Sequence, residues 1–229
     1  MIHDSNNLDK YITVFENGCK ILYDSHAAAG YLLSITAEIA VRQPLHLLDF
    51  GNRCDMYYTA RQLRYLTCDP AAALQNIRLQ RAFTCYQALA LLRQISGMEA
   101  GLPVIILDLL APFLDENVKT AEVYRLFNES VDLLSVAMPN RALLIGVKPV
   151  PQKLAPDRMR MVECLERRFG LIGVQPPELR ASGEYPESVG EMSGYQLRPA
   201  SRAFYAGRSD RAGRKRIAAP EGQLSLFDL

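Results

Sequence analysis

Four short apolar runs constrain this chain more than any other feature. They cover residues 45–50, 77–81, 103–107 and 142–147, and between them apolar residues recur at helical spacing over 27–41, 56–66, 86–95 and 121–137. Runs of that length are too short for helices and too continuous for half-exposed strands, so they read as strands buried on both faces. The intervening stretches are long enough for right-handed β-α-β crossovers, which join parallel strands. An α/β domain follows, with a mostly parallel sheet flanked by helices. Thr84 stands where the third helix needs an N-cap. In the fourth, Val123, Leu126, Phe127, Leu134 and Ala137 form one apolar stripe.

The texture changes after Pro149. Residues 157–169 fit one more helix and 168–174 fit an edge strand closing the sheet; periodicity leaves both open. From Gln175 onward prolines and glycines interrupt any continuous element, so the chain divides into a folded domain over 1–175 and a flexible tail over 176–229. With 26 basic against 25 acidic residues, a uniformly basic nucleic-acid binder is excluded, and any basic patch must be local. Cys19, Cys54, Cys68, Cys85 and Cys164 show no paired spacing and read as reduced, cytosolic thiols. No run approaches the roughly 20 apolar residues of a membrane span, and the first residues lack the pattern of a signal peptide, so a cytoplasmic protein without membrane contact is expected.

Ligands of a doubly wound sheet bind beyond the carboxyl ends of its strands, and the chemistry is sought there. A G-x-x-x-x-G-K-[ST] phosphate loop occurs nowhere in the sequence. In its place, after Ile21-Leu22-Tyr23, stands Ser25-His26-Ala27-Ala28-Ala29-Gly30-Tyr31-Leu32. With Gly30 as the second glycine, Tyr31 replaces the phosphate-binding lysine and Leu32 the magnesium-binding hydroxyl, and neither side chain has the needed charge or oxygen. The next strand ends Asp49-Phe50-Gly51-Asn52-Arg53, the third is followed by Arg81-Ala82-Phe83, and the fourth ends at Asp108. Asp108 reads equally as a strand-end acid capping a helix. His3, His26 and His46 are too dispersed to suggest a metal site, and none is expected. Tyr57, Tyr58 and Phe83 offer base-stacking rings, but their places beside strands and helices favour burial.

Order and spacing of these segments resemble the core of RecA-type recombinases over roughly residues 12–150, nearest the recombinase paralogues of archaea and eukaryotes. Residues 76–87, Asn-Ile-Arg-Leu-Gln-Arg-Ala-Phe-Thr-Cys-Tyr-Gln, are similar to the family's Arg-Ala-Phe block, and Asp108 falls at its Walker B aspartate. The resemblance implies a P-loop NTPase fold in which Gly30, Tyr31, Leu32, Asp49 and Asp108 mark a vestigial nucleotide site. Gly51 stands where the family's Asp-x-Glu signature carries its water-activating glutamate, and Gly146-Val147-Lys148-Pro149 lacks a polar sensor. Phosphoryl transfer depends on positioning and charge neutralisation, so these losses imply a pseudo-ATPase with no catalytic residue, no required cofactor and at most weak ATP binding.

The last residues carry a separate signal. Gln223-Leu224-Ser225-Leu226-Phe227 is similar to the Gln-Leu-x-Leu-Phe peptide by which bacterial replication and repair proteins dock on the DNA sliding clamp. Leu224, Leu226 and Phe227 supply apolar anchors, and the Gln223 amide fixes register. Upstream, Arg208, Arg211, Arg214, Lys215 and Arg216 form a basic stretch opposed by Asp210 alone, suited to phosphate contact with DNA.

The expected function is therefore a non-catalytic, RecA-like accessory in DNA repair, recombination or translesion synthesis, cytoplasmic and nucleoid-associated. Its partners would be the sliding clamp, DNA and a recombinase or polymerase subunit, an arrangement that resembles the ImuA-like partners of error-prone polymerases. Two alternatives stand beside it. One is a divergent, active ATP-dependent recombinase paralogue; the other is a Rossmann-type methyltransferase, suggested by Leu47-Leu48-Asp49-Phe50-Gly51 but lacking a second glycine, since Arg53 holds that place.

Overall fold

A computed structural model describes residues 18–95, 101–175 and 196–199. Each apolar run forms a strand. In chain order the elements are β1 (Gly18–Tyr23), α1 (Ala29–Ala40), β2 (Leu45–Asp49), α2 (Met56–Leu66), α3 (Pro70–Gln75), β3 (Ile77–Arg81), α4 (Cys85–Gln94), β4 (Val104–Leu107), α5 (Thr120–Ala137), β5 (Ala142–Val147), α6 (Ala155–Phe169), β6 (Leu171–Gln175) and β7 (Gln196–Pro199). The strands make one sheet in the order β3-β2-β4-β5-β1-β6-β7. Strands β1 to β6 are all parallel, and β7 runs antiparallel to β6.

The side-chain alternation of a strand sends one set of residues to each face. Leu45, Leu47, Ile105, Leu107 and Leu144 meet α1 and α2 on one face; Leu48, Val104, Ile106, Leu143 and Ile145 meet α4, α5 and α6 on the other. Chain direction explains which helix takes which face. Crossovers leading from β1 to β2 and from β2 to β3 move toward one edge, and those from β3 to β4, β4 to β5 and β5 to β6 move back. A right-handed crossover reverses face when it reverses direction, which separates the helices into two layers.

Local signals act as the sequence suggests. Thr84 accepts a hydrogen bond from the Gln87 N–H and caps α4. The stripe of α5 is buried, with Phe127 meeting Phe113 edge to face at 5.7 Å between centroids. Both readings of the region after Pro149 hold, as α6 followed by β6, although β6 is interior because β7 covers its outer side. One stretch of the segment read as tail, Gln196–Pro199, thus belongs to the sheet. The 6-residue α3, with Pro70 in its first turn and Asp69 accepting from the Ala72 N–H, was not anticipated. Among the described residues no helix is long and apolar enough to cross a membrane.

Candidate functional site

At the carboxyl edge two pairs of neighbouring strands send their following connections to opposite faces: β2 beside β4, and β1 beside β5. Such switch points open the crevices in which sheets of this class hold ligands. Here the chain's own atoms fill both.

The first crevice lies between Asp49 and Asp108. Asp49, fully buried, accepts hydrogen bonds from the Arg53 N–H at 2.8 Å and the Cys54 N–H at 3.1 Å, and Arg81 Nε stands 3.3 Å away. Arg81, from the Arg-Ala-Phe block, also donates to the Cys54 carbonyl. Both carboxylate oxygens of Asp49 are thus occupied in folding the 50–54 loop. Asp108 is also fully buried and has φ 59°, a left-handed conformation that aspartate tolerates better than most residues. Its carboxylate lies 3.0 Å from Lys148 Nζ and 3.6 Å from Arg53 Nε. It makes no directional hydrogen bond, so the attraction is chiefly between charges. Two side-chain cations therefore neutralise this buried acid. Asp108 caps no helix.

The backbone at Gly51 leaves no room for a side chain. A Cβ on it would lie 2.4 Å from Asp108 Cβ and 2.6 Å from Asp108 Oδ2. Any side chain at 51 would have to displace Asp108.

The second crevice lies over β5. Residues 24–28 form a tight turn in which Ala27 and Ala28 take φ of 54° and 51°. Three N–H groups here are satisfied internally: His26 N–H donates to the Asp24 carboxylate, Ala27 N–H to the Asp24 carbonyl and Ala29 N–H to the His26 carbonyl. A phosphate cradle instead points such groups at the anion. The Ala27 carbonyl reaches over Gly146, where an added Cβ would fall 2.0 Å from that oxygen and 2.8 Å from Leu32 Cδ1. Gly30 lies in the first turn of α1, while Tyr31 and Leu32 are buried in the core.

The structure brings Asp49 and Asp108 to one crevice and places Gly30, Tyr31 and Leu32 at the other. Tyr58 is buried, its hydroxyl 2.7 Å from Ser34 Oγ, as a core reading expects. Tyr57 and Phe83 depart from that reading and are largely exposed, because they fall on the outward sides of a helix and a loop at the sheet's edge. Sequence reasoning missed Asp24 as the acceptor in the turn and the roles of Arg53 and Lys148 as cations for Asp108. The legible signal was a basic residue directly after β5, in a place where the resemblance asks for a neutral polar one.

Burial raises the Cys54 thiol to about 11 and the Cys19 thiol to about 12, which favours the neutral thiol at both. His46 is buried in β2 and His26 is exposed in the turn. Gln223, Leu224, Ser225, Leu226 and Phe227, with Arg208, Arg211, Arg214, Lys215 and Arg216, lie outside the described residues. No protein-family model matches the chain, and no curated protein is found similar to it.

Proposed function

We propose that this protein is a catalytically degenerate member of the RecA-type class that serves as an accessory in DNA repair or translesion synthesis, brought to the sliding clamp by Gln223 to Phe227. The observation that carries the non-catalytic part is Asp108, buried against Lys148 and Arg53. A metal ion entering there would have to displace two side-chain cations and compete with them for one carboxylate. The turn over Gly146 supports the same reading, because the N–H groups of His26, Ala27 and Ala29 are spent on its own oxygens and not aimed at an anion.

Strand order supports the RecA-type assignment over the methyltransferase one. A dinucleotide-binding sheet runs 3-2-1-4-5-6, with its first strand beside the second. In this chain β1 lies beyond β4 and β5, between β5 and β6. In the proposed mechanism the core acts as a rigid interface toward a recombinase protomer or polymerase subunit, while the clamp peptide supplies recruitment and the basic stretch from Arg208 to Arg216 supplies salt-sensitive DNA contact.

Two measurements on the full chain test the proposal. A labelled ATP analogue, titrated with and without magnesium, should show no saturable tight binding; tight magnesium-dependent binding makes the protein an active ATPase instead. Clamp capture should be lost in Leu226→Ala/Phe227→Ala, and capture that is equal for both chains, or absent from both, removes the recruitment step.

A further inference from the structure

The outer face of α2 matches neither the fold's needs nor the clamp reading. Tyr57, Arg61, Arg64 and Tyr65 recur at i, i+4, i+7 and i+8, which places all four on one side of the helix. The opposite side, with Tyr58, Thr59, Gln62 and Leu63, is buried against the core. Tyr57 is 76% exposed and Tyr65 63% exposed, unusual for rings that would gain by burial. No acid occurs within α2 itself. Among the described residues neither Arg61 nor Arg64 is ion-paired, whereas Arg53, Arg81, Arg93, Arg125 and Arg168 all are. The half-buried Arg61 guanidinium rests over the ring of the buried Tyr58, 5.9 Å from its centroid, with its Nε shielded from solvent and without a hydrogen-bond partner. Beyond the amino end of the helix, Phe83 is 68% exposed on the loop that Arg81 ties to the Cys54 carbonyl.

We propose that this face of α2, Tyr57-Arg61-Arg64-Tyr65, binds single-stranded nucleic acid. The two tyrosines are about 12 Å apart along the helix, with both guanidiniums between them. Flat rings at that separation suit unpaired bases, whose faces are free to stack, and the two cations suit the phosphates that link them. A duplex hides its base faces and gives the rings nothing to stack on. The surface belongs to the folded core, so it is separate from the tail's basic stretch and from the clamp peptide, and it stands if either of those fails.

The test uses the full chain and a labelled oligothymidylate, followed by anisotropy at several salt concentrations. Tyr57→Ala/Tyr65→Ala should weaken binding on the order of tenfold or more with an unchanged salt slope. Arg61→Ala/Arg64→Ala should weaken it and lower the slope of log affinity against log salt by about 1.4, for two lost phosphate contacts. Tyr57→Phe/Tyr65→Phe retains the rings and should restore affinity, and a thermal melt of each variant separates lost binding from lost folding. A chain with Arg208, Arg211, Arg214 and Arg216 changed to Ala should still show the tyrosine dependence. The proposal is overturned if the intact chain binds no oligothymidylate or if both core variants bind as tightly as it does. It is equally overturned if duplex of the same length binds more tightly, or if an acidic peptide binds through the same four residues in preference to the oligonucleotide.

Discussion

Asp108 shows how one residue settles the character of a site. A fully buried carboxylate is tolerable only when paired, and here the pairing comes from Lys148 and Arg53. Removing one cation from such a group leaves a charge with weaker compensation, so Lys148→Met is expected to destabilise the fold by about 3 kcal/mol. Neutralising the acid in the same chain, as Lys148→Met/Asp108→Asn, should recover much of that loss, since asparagine also accepts the left-handed backbone at 108. Denaturant melts of the two single variants and the double variant give the coupling directly. Gly51 is the companion constraint. Gly51→Glu reinstates the acid of the resembled family on paper, yet its Cβ would meet Asp108 at 2.4 Å. The expected outcome is a loss of about 2 to 3 kcal/mol in a melt with no gain of ATP hydrolysis; measurable turnover in a folded Gly51→Glu chain would contradict the pseudo-ATPase reading.

Among the elements, α1 holds the clearest pH-sensitive group. Burial lifts the Glu38 carboxyl from 4.5 to about 6, and Arg42 one turn on pulls it back only in part. A carboxyl with a raised folded pKa binds its proton more tightly in the native state. Its favourable contribution is therefore complete below pH 4.5 and is lost as pH rises through 6. Glu38→Gln mimics the protonated form, so at pH 7.5 it should be more stable than the parent by about 2 kcal/mol at most, with the two converging near pH 4. A difference that grows on acidification would refute this account. The same helix marks where sequence reading stops. Strands β2, β4 and β5 were legible because burial on both faces writes itself as unbroken apolar runs, and α4 and α5 because a cap or a stripe is a local signal; β3, Ile-Arg-Leu-Gln-Arg at the sheet's edge, has no fully buried residue and departs from the expected burial on both faces. The turn before α1 was not, since a non-glycine residue at positive φ leaves no mark in composition: Ala27 and Ala28 look like helix formers and serve as a left-handed bend. Nor was β7 legible, because its four residues gain their place only from the exposed side of β6. At the site, the acids were visible as strand-end residues, whereas the cations paired with them come from the end of β3 (Arg81) and from two loops (Arg53 and Lys148), and such contacts are a property of the folded sheet.

For the molecule as a whole, the question is how a folded core and its last thirty residues divide the work. Every described element ends by Pro199, and the described core draws its buried residues from 21 to 174. Stability should therefore be a property of the part before residue 200, and recruitment a property of the part after it. A chain truncated after Pro199 is expected to melt within about 2 °C of the full chain, since it removes no strand pairing or core contact found among the described residues. It should at the same time lose clamp capture completely, together with the tail's share of oligonucleotide binding, while keeping the share that depends on Tyr57 and Tyr65. Separation of these three readouts follows from the proposed reading, in which recruitment by the tail does not depend on a ligand held by the core. A truncated chain that melts far below the parent, or that still pulls down the clamp, would mean that residues 200–229 contribute to the core or that the docking surface lies within it.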